Sequence, residues 1–517
     1  MTRGTADDAT ALIASLAHAP EQAWLEHGRA LVLRSTSAAL ALFSAAATRF
    51  PTSADIQLGL AGLLGQSGQV TQAEALLRHW LADHPGDVAA TFLLARLLRD
   101  QGRLQAAGEA MRALFQHATH DADTVIAAVE LLDGYGLQRD ASSICESAIT
   151  AGANDARLHA YAGMLAIQLG RFEQVRAHYE KALALEPGAV EWNIPLGLSG
   201  LQRYSDAAHA DFAYFQGLLA RADISDYTRR STLFALGKAC DDIGDYASAA
   251  RHFSDANAMA HAHSQWSRKT WKRSVQARLD APYPATRLAP SADWTPVFIV
   301  GVPRSGTTLL AERLSNFPNV RNRGELGWVQ VWEERLSLAA TNRLQDAADD
   351  ITRHLRQDDG EARWIIDKQP LNLLRVDLIM ALWPQARILC CQRDARDTAL
   401  SLWMQPFSDA AHDYSYDFGD IATVISGCRR LQAHWQQRYP DAFHVVSYEQ
   451  FVNAPDTTLQ AVAHWLGLSA PEPDTRVADT AIATASVWQA RQPIYTRSEG
   501  RWRHYAAYVP ELLDIPA

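Results

Sequence analysis

The chain has 517 residues and a formal net charge of −10, a length beyond what one hydrophobic core supports and a balance that excludes a general nucleic-acid binder while permitting a local anion pocket. Its five cysteines, Cys145, Cys240, Cys390, Cys391 and Cys428, are scattered and odd in number. They have the spacing of neither a disulfide framework nor a zinc site, and no metal is expected.

The N-terminal stretch carries Asp7 and Asp8 where a secretory signal needs bases, and no run approaches the roughly 18 apolar residues of a membrane span. The expectation is a cytoplasmic protein without membrane or nucleic-acid partners. Abundant alanine and an excess of arginine over lysine read as bacterial coding bias.

A 34-residue period then organises the chain. Pro51, Pro85 and Pro187 lie on one such grid, Gly68, Gly102, Gly136 and Gly170 recur at the same interval, and Ala73, Ala107, Ala141 and Val175 follow those glycines by five. This is the tetratricopeptide (TPR) pattern, in which glycine turns the chain between two helices, a small residue lets them pack closely, and proline stops the second. A divergent unit precedes it around Ala39, Phe43, Ala46 and Pro51. After Pro187 the register slips through Arg203, Tyr204 and Ala207, and a last unit is clear in Leu236, Gly237, Gly244, Tyr246, Ala249, Phe253 and Ala256. Six or seven helix pairs over residues 1–260 predict an all-α superhelix whose concave face holds a peptide or a neighbouring domain, or which serves as scaffold or dimer surface. Sequence leaves those roles, and a homodimer, open.

Residues 261–293 hold a basic helix-like stretch, SQWSRKTWKRSVQARL, read as a capping helix on the superhelix, and a proline-rich linker, APYPATRLAPSADWTP. The third segment, 294–517, opens with an apolar run, Val297–Val300, that reads as a buried strand. It leads through Gly301-Val-Pro-Arg-Ser-Gly306 into an apolar-periodic helix from Thr307. Amides of a glycine-bearing turn and of a helix's first turn lack intrahelical partners and stabilise an anion placed there. The glycine spacing fits a P-loop, but Thr307 stands where its lysine belongs, and the cation is Arg304.

Beyond this loop strands alternate with helices: a strand at Arg363–Asp367, a helix at Leu371–Trp383, a strand at Ala386–Cys391, a helix at Ala395–Met404, and a strand at His444–Ser447 with a helix after it. That order predicts an α/β domain with a mainly parallel sheet, which binds anions beyond the strands' carboxyl ends. Arg304, Glu325, Lys368, Arg393 and Tyr448 all fall in those connections.

The words VPRSGTTLL, RGE, DKQPLN, QRDARDTALS, SYEQFV, ASVWQARQPIY and GRW, in this order, resemble the sulfotransferase superfamily that uses 3'-phosphoadenosine 5'-phosphosulfate (PAPS), and most its tyrosylprotein sulfotransferase branch. TPR arrays fused to such domains are a bacterial arrangement. The resemblance implies that Arg304 and the amides of Ser305, Gly306, Thr307 and Thr308 hold the 5'-phosphosulfate, and that Arg393 with Ser401 holds the 3'-phosphate of donor and of product, adenosine 3',5'-bisphosphate. It makes Glu325 the general base, puts Lys368 and Ser486 at the bridging oxygen, and makes Tyr448, Arg491 and Arg501 nucleotide contacts.

Plainer readings stand beside these: an ion pair of Arg393 with Asp394 or Asp397, a helix-start carboxylate for Glu325, a strand-end surface residue for Lys368. The last is notable because lysine occurs only five times and nowhere else after Lys272. The function implied is sulfuryl transfer to a hydroxyl, with protein or peptide tyrosine selected by the TPR array as acceptor. The alternatives are a carbohydrate or small-molecule sulfotransferase, and a TPR interaction scaffold with an inactive nucleotide-binding domain. A P-loop kinase or NTPase lacks its Walker lysine and Walker B partner.

Overall fold

The computed structural model describes residues 4–117, 119–284, 286–338, 343–407, 409–469 and 494–516. The chain divides by packing into two compact units, Met1–Ala153 and Asn154–Ala517. The boundaries 260 and 293 drawn from sequence follow repeat and linker composition, which is a different criterion.

The N-terminal unit is all helical. Its helices pair as the period requires: Ala54–Gln66 with Val70–Asp83, Val88–Asp100 with Leu104–His117, and Ala122–Gly134 with Gln138–Thr150. Gly68, Gly102 and Gly136 have φ of 77°, 73° and 77°, a left-handed conformation that closes a helix and that side chains resist. The Gln69 amide bonds back to Leu64 O at 2.8 Å across the first of these turns, and Ala73, Ala107 and Ala141 are fully buried behind them. A second 34-residue series reinforces the period. Ser53, Asp87, Asp121 and Asp155 each accept an amide of the following helix's first turn, satisfying a donor that has no intrahelical partner.

The second unit begins with the continuation of the repeats, Ala156–Gln168 with Phe172–Leu185 and, after the short helices Pro187–Glu191, Ile194–Ser199 and Ala210–Ala220, Asp226–Asp242 with Tyr246–His261. The basic stretch forms a helix, Arg268–Leu279, and its place is against helix Phe418–Arg438 of the α/β domain. Trp271 and Val275 are buried there, Gly427 opposite them has no room for a Cβ, and Arg268 pairs with Asp417 and Asp420.

The α/β domain contains five parallel strands, β1 (Thr295–Gly301), β2 (Val320–Asn322), β3 (Trp364–Asp367), β4 (Arg387–Gln392) and β5 (Phe443–Ser447), in spatial order β2-β3-β1-β4-β5. Val297 stands opposite both Ile366 and Arg387, which centres β1. Alternate residues feed two cores: Phe298, Val300, Ile365 and Ile388 face Trp383 and Trp435, while Val297, Ile299, Ile366 and Leu389 face Leu310, Leu314 and Phe451. Burial on both faces is why the strands read as unbroken apolar runs. Strand β2, three residues long, carries no periodic signal. The helix expected over Leu371–Trp383 is split into a 3-10 segment, Pro370–Arg375, and an α-helix, Val376–Leu382. In the first part the Asn372 side chain turns back to donate to Asp367 Oδ2 at 3.2 Å.

Candidate functional site

Parallel strands point their carboxyl ends the same way, so the connections that follow them share one edge of the sheet. Read across that edge, β2 is followed by Glu325, β3 by Lys368, β1 by Arg304 and Ser305, β4 by Arg393 and β5 by Tyr448. With neighbouring strands about 4.8 Å apart, the five connections span about 19 Å.

The β1 connection is a strained cradle. Arg304 has φ 71° and Gly306 φ 98°, and a side chain in the left-handed region persists only where its surroundings impose it. A Cβ on Gly306 would come within 2.5 Å of the Tyr448 ring, and one on Gly301 within 2.5 Å of Cys391 O. The Ser305 amide is used inside the turn, donating to Val302 O at 3.2 Å. The amides of Gly306, Thr307 and Thr308, by contrast, have no acceptor among the described residues. They open helix Thr307–Leu314, whose dipole favours an anion at this end.

Arg304 Nε donates to Ser401 Oγ at 3.1 Å, and Arg393 donates to Arg304 O at 3.1 Å and to Ser498 O at 2.7 Å while lying 4.6 Å above the Tyr448 ring centre. The Tyr448 hydroxyl meets Ser498 Oγ at 2.7 Å. These arginine hydrogen bonds run to a hydroxyl and carbonyls. Asp394 instead caps helix Ala395–Trp403, and Asp397 accepts the amides of Gly500 and Trp502. Burial pushes the Arg304 pKa down to about 10, and the Arg393 charge adds to the effect, the signature of a positive site that an anion would relieve. Among the described residues Ser305 Oγ and Arg393 Nε are buried without a hydrogen-bond partner, and such orphaned donors fit a ligand rich in acceptor oxygens.

At the other end of the edge, Lys368 is 1% exposed and its Nζ donates to Glu325 Oε1, so it is no surface residue. The Arg323-Gly-Glu turn that presents Glu325 is held by Arg323 to Asp359 at 2.6 Å and by the Lys368 amide to Gly324 O at 2.8 Å, with Gly324 at φ 69°. Behind the pair lies Asp367, which accepts from the Leu326 amide and Asn372 Nδ2. Burial pushes its carboxyl up to about 8. Of the two carboxyls beside Lys368, Glu325 is the one that pairs with it directly.

Of the residues singled out from sequence, Arg304, Ser305, Gly306, Thr307, Thr308, Arg393, Ser401 and Tyr448 converge around the β1 connection, and Glu325 and Lys368 pair beside it. Arg501 donates to Asp241. Ser486 and Arg491 lie outside the described residues. Asp367 and Ser498 went unnoticed. A carboxylate beside the retained lysine was a usable signal for the first, and nothing local marks the second. No group of three or more metal-ligating side chains occurs among the described residues, and none of their helices is long and apolar enough to cross a membrane.

Comparison with known proteins agrees with this architecture. A sulfotransferase family profile matches residues 296–472, and tetratricopeptide repeat profiles match residues 34–97 and 156–188. An uncharacterised protein of Aquifex aeolicus is 24% identical, over 96% of this chain and 69% of its own length. Protein-tyrosine sulfotransferase 2 of Gallus gallus is 29% identical, over 34% of this chain and 51% of its own, so the match spans about half of that relative. Among solved structures, the sulfotransferase domain of the Synechococcus PCC 7002 olefin synthase is aligned over 45% of this chain and 96% of its own, at 20% identity and a TM-score of 0.33. The chain thus joins N-terminal tetratricopeptide repeats to a sulfotransferase domain distantly similar to protein-tyrosine sulfotransferases.

Proposed function

We propose that the protein transfers the sulfuryl group of PAPS to a hydroxyl, with tyrosine of a protein or peptide as acceptor. The observation that carries this reading is the row of groups along the sheet edge: a carboxylate, a buried lysine, an amide cradle and two arginines, in the order that an acceptor, a bridging oxygen and a bisphosphorylated nucleotide require. Bound there, PAPS supplies an activated sulfuryl group on a phosphate leaving group.

The amides of Gly306, Thr307 and Thr308, with Arg304 and the orphaned Ser305 hydroxyl, hold the 5'-phosphosulfate. Arg393, with Ser401 beside Arg304, answers the 3'-phosphate, its planar fork suited to phosphate oxygens. A phenol has a pKa near 10, so attack at neutral pH requires proton removal, and Glu325 takes that proton. Lys368 offsets the charge that develops on the departing oxygen. The direct Glu325–Lys368 contact holds both groups in place before substrates separate them. The TPR array presents the acceptor.

Incubating the protein with labelled PAPS and a mixture of tyrosine peptides, glycans and phenols tests the reading. Label is expected on tyrosine peptides. Label confined to glycans or small phenols would overturn the acceptor, and no transfer to any of them would overturn the reaction.

A further inference from the structure

The helix Asp226–Asp242 of the last repeat ends in two adjacent carboxylates, where the helix dipole disfavours negative charge. A broken local rule calls for a tertiary explanation. Asp242 is accounted for nearby, pairing with Lys238 at 2.6 Å and accepting the Tyr204 amide at 3.1 Å. Asp241 turns elsewhere: one oxygen accepts from Arg501 and the other from the Tyr505 hydroxyl at 2.6 Å, across 260 and 264 residues of chain. Asp241 is 11% exposed at its side chain and Arg501 29%. Burial works against the Arg501 charge, but Asp241 outweighs it and holds the guanidinium well above its ordinary pKa.

The segment 498–505 is gripped from both sides. Toward the sheet, Arg393 takes Ser498 O, Tyr448 takes Ser498 Oγ, and Asp397 accepts the Gly500 and Trp502 amides at 2.6 and 2.9 Å. Toward the repeats, Asp241 holds Arg501 and Tyr505, and Tyr246 stacks on His504 with ring centres 4.8 Å apart. Arg501 lies three residues beyond Ser498, whose carbonyl Arg393 holds at 2.7 Å, and Arg393 also holds Arg304 O at 3.1 Å; the Arg501 charge accordingly works to lower the Arg304 pKa. Three arginines, 304, 393 and 501, thus share one neighbourhood, and like charges there repel unless a carboxylate or an anionic ligand intervenes.

We propose that Asp241 of the helical repeats is a positioning residue of the anion site: it holds Arg501 toward Arg304 and Arg393, so that repeats and sheet domain together build the surface for a bisphosphorylated nucleotide. This rests on the sulfotransferase reading above for the identity of the ligand. Asp241 touches no ligand itself and acts through Arg501.

The test is titration of adenosine 3',5'-bisphosphate into the full-length protein and its variants, with thermal unfolding recorded alongside. Arg501→Met should weaken binding about tenfold or more, as expected for a lost charge-assisted contact, and Asp241→Asn about fivefold or more. The double variant should be no weaker than the worse single variant, because residues acting through one another are not additive. Asp241→Glu should recover most of the affinity. Asn257→Ala breaks a different contact between repeats and sheet domain, the 2.8 Å bond from Asn257 Nδ2 to Trp403 O. It should lower the unfolding temperature and leave affinity within twofold.

Wild-type affinity in Asp241→Asn, tighter binding in that variant, or additive losses in the double variant would each overturn the role of Asp241 while leaving the donor reading intact. If Asp241→Asn does not fold, wild-type affinity in Arg501→Met overturns the proposal by itself. A wild-type protein that binds no nucleotide refutes the donor reading, and the proposal with it.

Discussion

Replacing Glu325 by glutamine preserves the side chain's size and removes its charge, and the structure sets the cost of that change on two separate scales. Lys368 is 1% exposed and donates to Glu325, whereas the Glu325 side chain is 39% exposed. Breaking a fully buried pair costs about 3–5 kcal/mol, and an exposed one about 0–1 kcal/mol. A pair with one partner in each environment should lose about 1–2 kcal/mol of stability on this substitution. Asp367 limits the loss: with Glu325 neutral, the Lys368 ammonium draws the buried carboxyl beside it toward ionisation. The catalytic cost is larger. Turnover with a tyrosine peptide should fall by about 10²–10⁴-fold, the range for losing a general base.

The two effects separate by assay. Denaturant unfolding reads the first, and single-turnover sulfuryl transfer to phenols of graded acidity reads the second, with nucleotide affinity measured independently by titration. An acidic phenol is already partly ionised at neutral pH and needs little proton removal, so Glu325→Gln should recover much of its rate there. Lys368→Ala should not, because the charge it answers develops on the nucleotide whatever the acceptor. Equal impairment of Glu325→Gln across all phenols, or full activity on tyrosine, would refute the assignment of Glu325 as base.

Gly306→Ala places a methyl at φ 98° and within 2.5 Å of the Tyr448 ring that supports Arg393; affinity for adenosine 3',5'-bisphosphate should drop about tenfold or more with a lowered unfolding temperature, a strain of about 1–3 kcal/mol, and unchanged affinity would refute the cradle. The Asp367 carboxyl, at about 8 when folded against an ordinary 3.8, binds more protons in the folded state between those values, so its contribution makes stability fall as pH rises from about 4 to 8 and level off above. Asp367→Asn should remove that slope in urea unfolding at pH 5 and pH 8, and an unchanged slope would sink the assignment. A chain beginning at Asn154 retains one continuous core in which Phe253 and Trp271 pack with Trp403 and Ile425, whereas one beginning at Ser291 loses the first two; the shorter chain should aggregate or melt at lower temperature in size-exclusion and thermal scans, and equal stability of the two would refute this account of the interface.

The features legible in the sequence are those that a few neighbouring residues enforce. A glycine that must adopt positive φ recurs every 34 residues at Gly68, Gly102, Gly136 and Gly170 because each helix pair needs the same turn. Unbroken apolar runs become strands covered on both faces, and a glycine-bearing turn before a helix leaves free amides at Gly306, Thr307 and Thr308. Even the caps Ser53, Asp87, Asp121 and Asp155 were there to be read, on the same period as the glycines.

What only the tertiary structure decided is which charge answers which. Glu325 and Lys368, 43 residues apart, pair because β2 and β3 are neighbours in the sheet. The basic helix Arg268–Leu279 has its apolar side against Phe418–Arg438, and Arg501 is met by a carboxylate of the repeats, Asp241. An arginine looks the same in sequence whether it faces a phosphate, a carboxylate or a carbonyl. Its role comes from partners that chain folding brings from hundreds of residues away, and those long-range pairings leave no periodic or local trace.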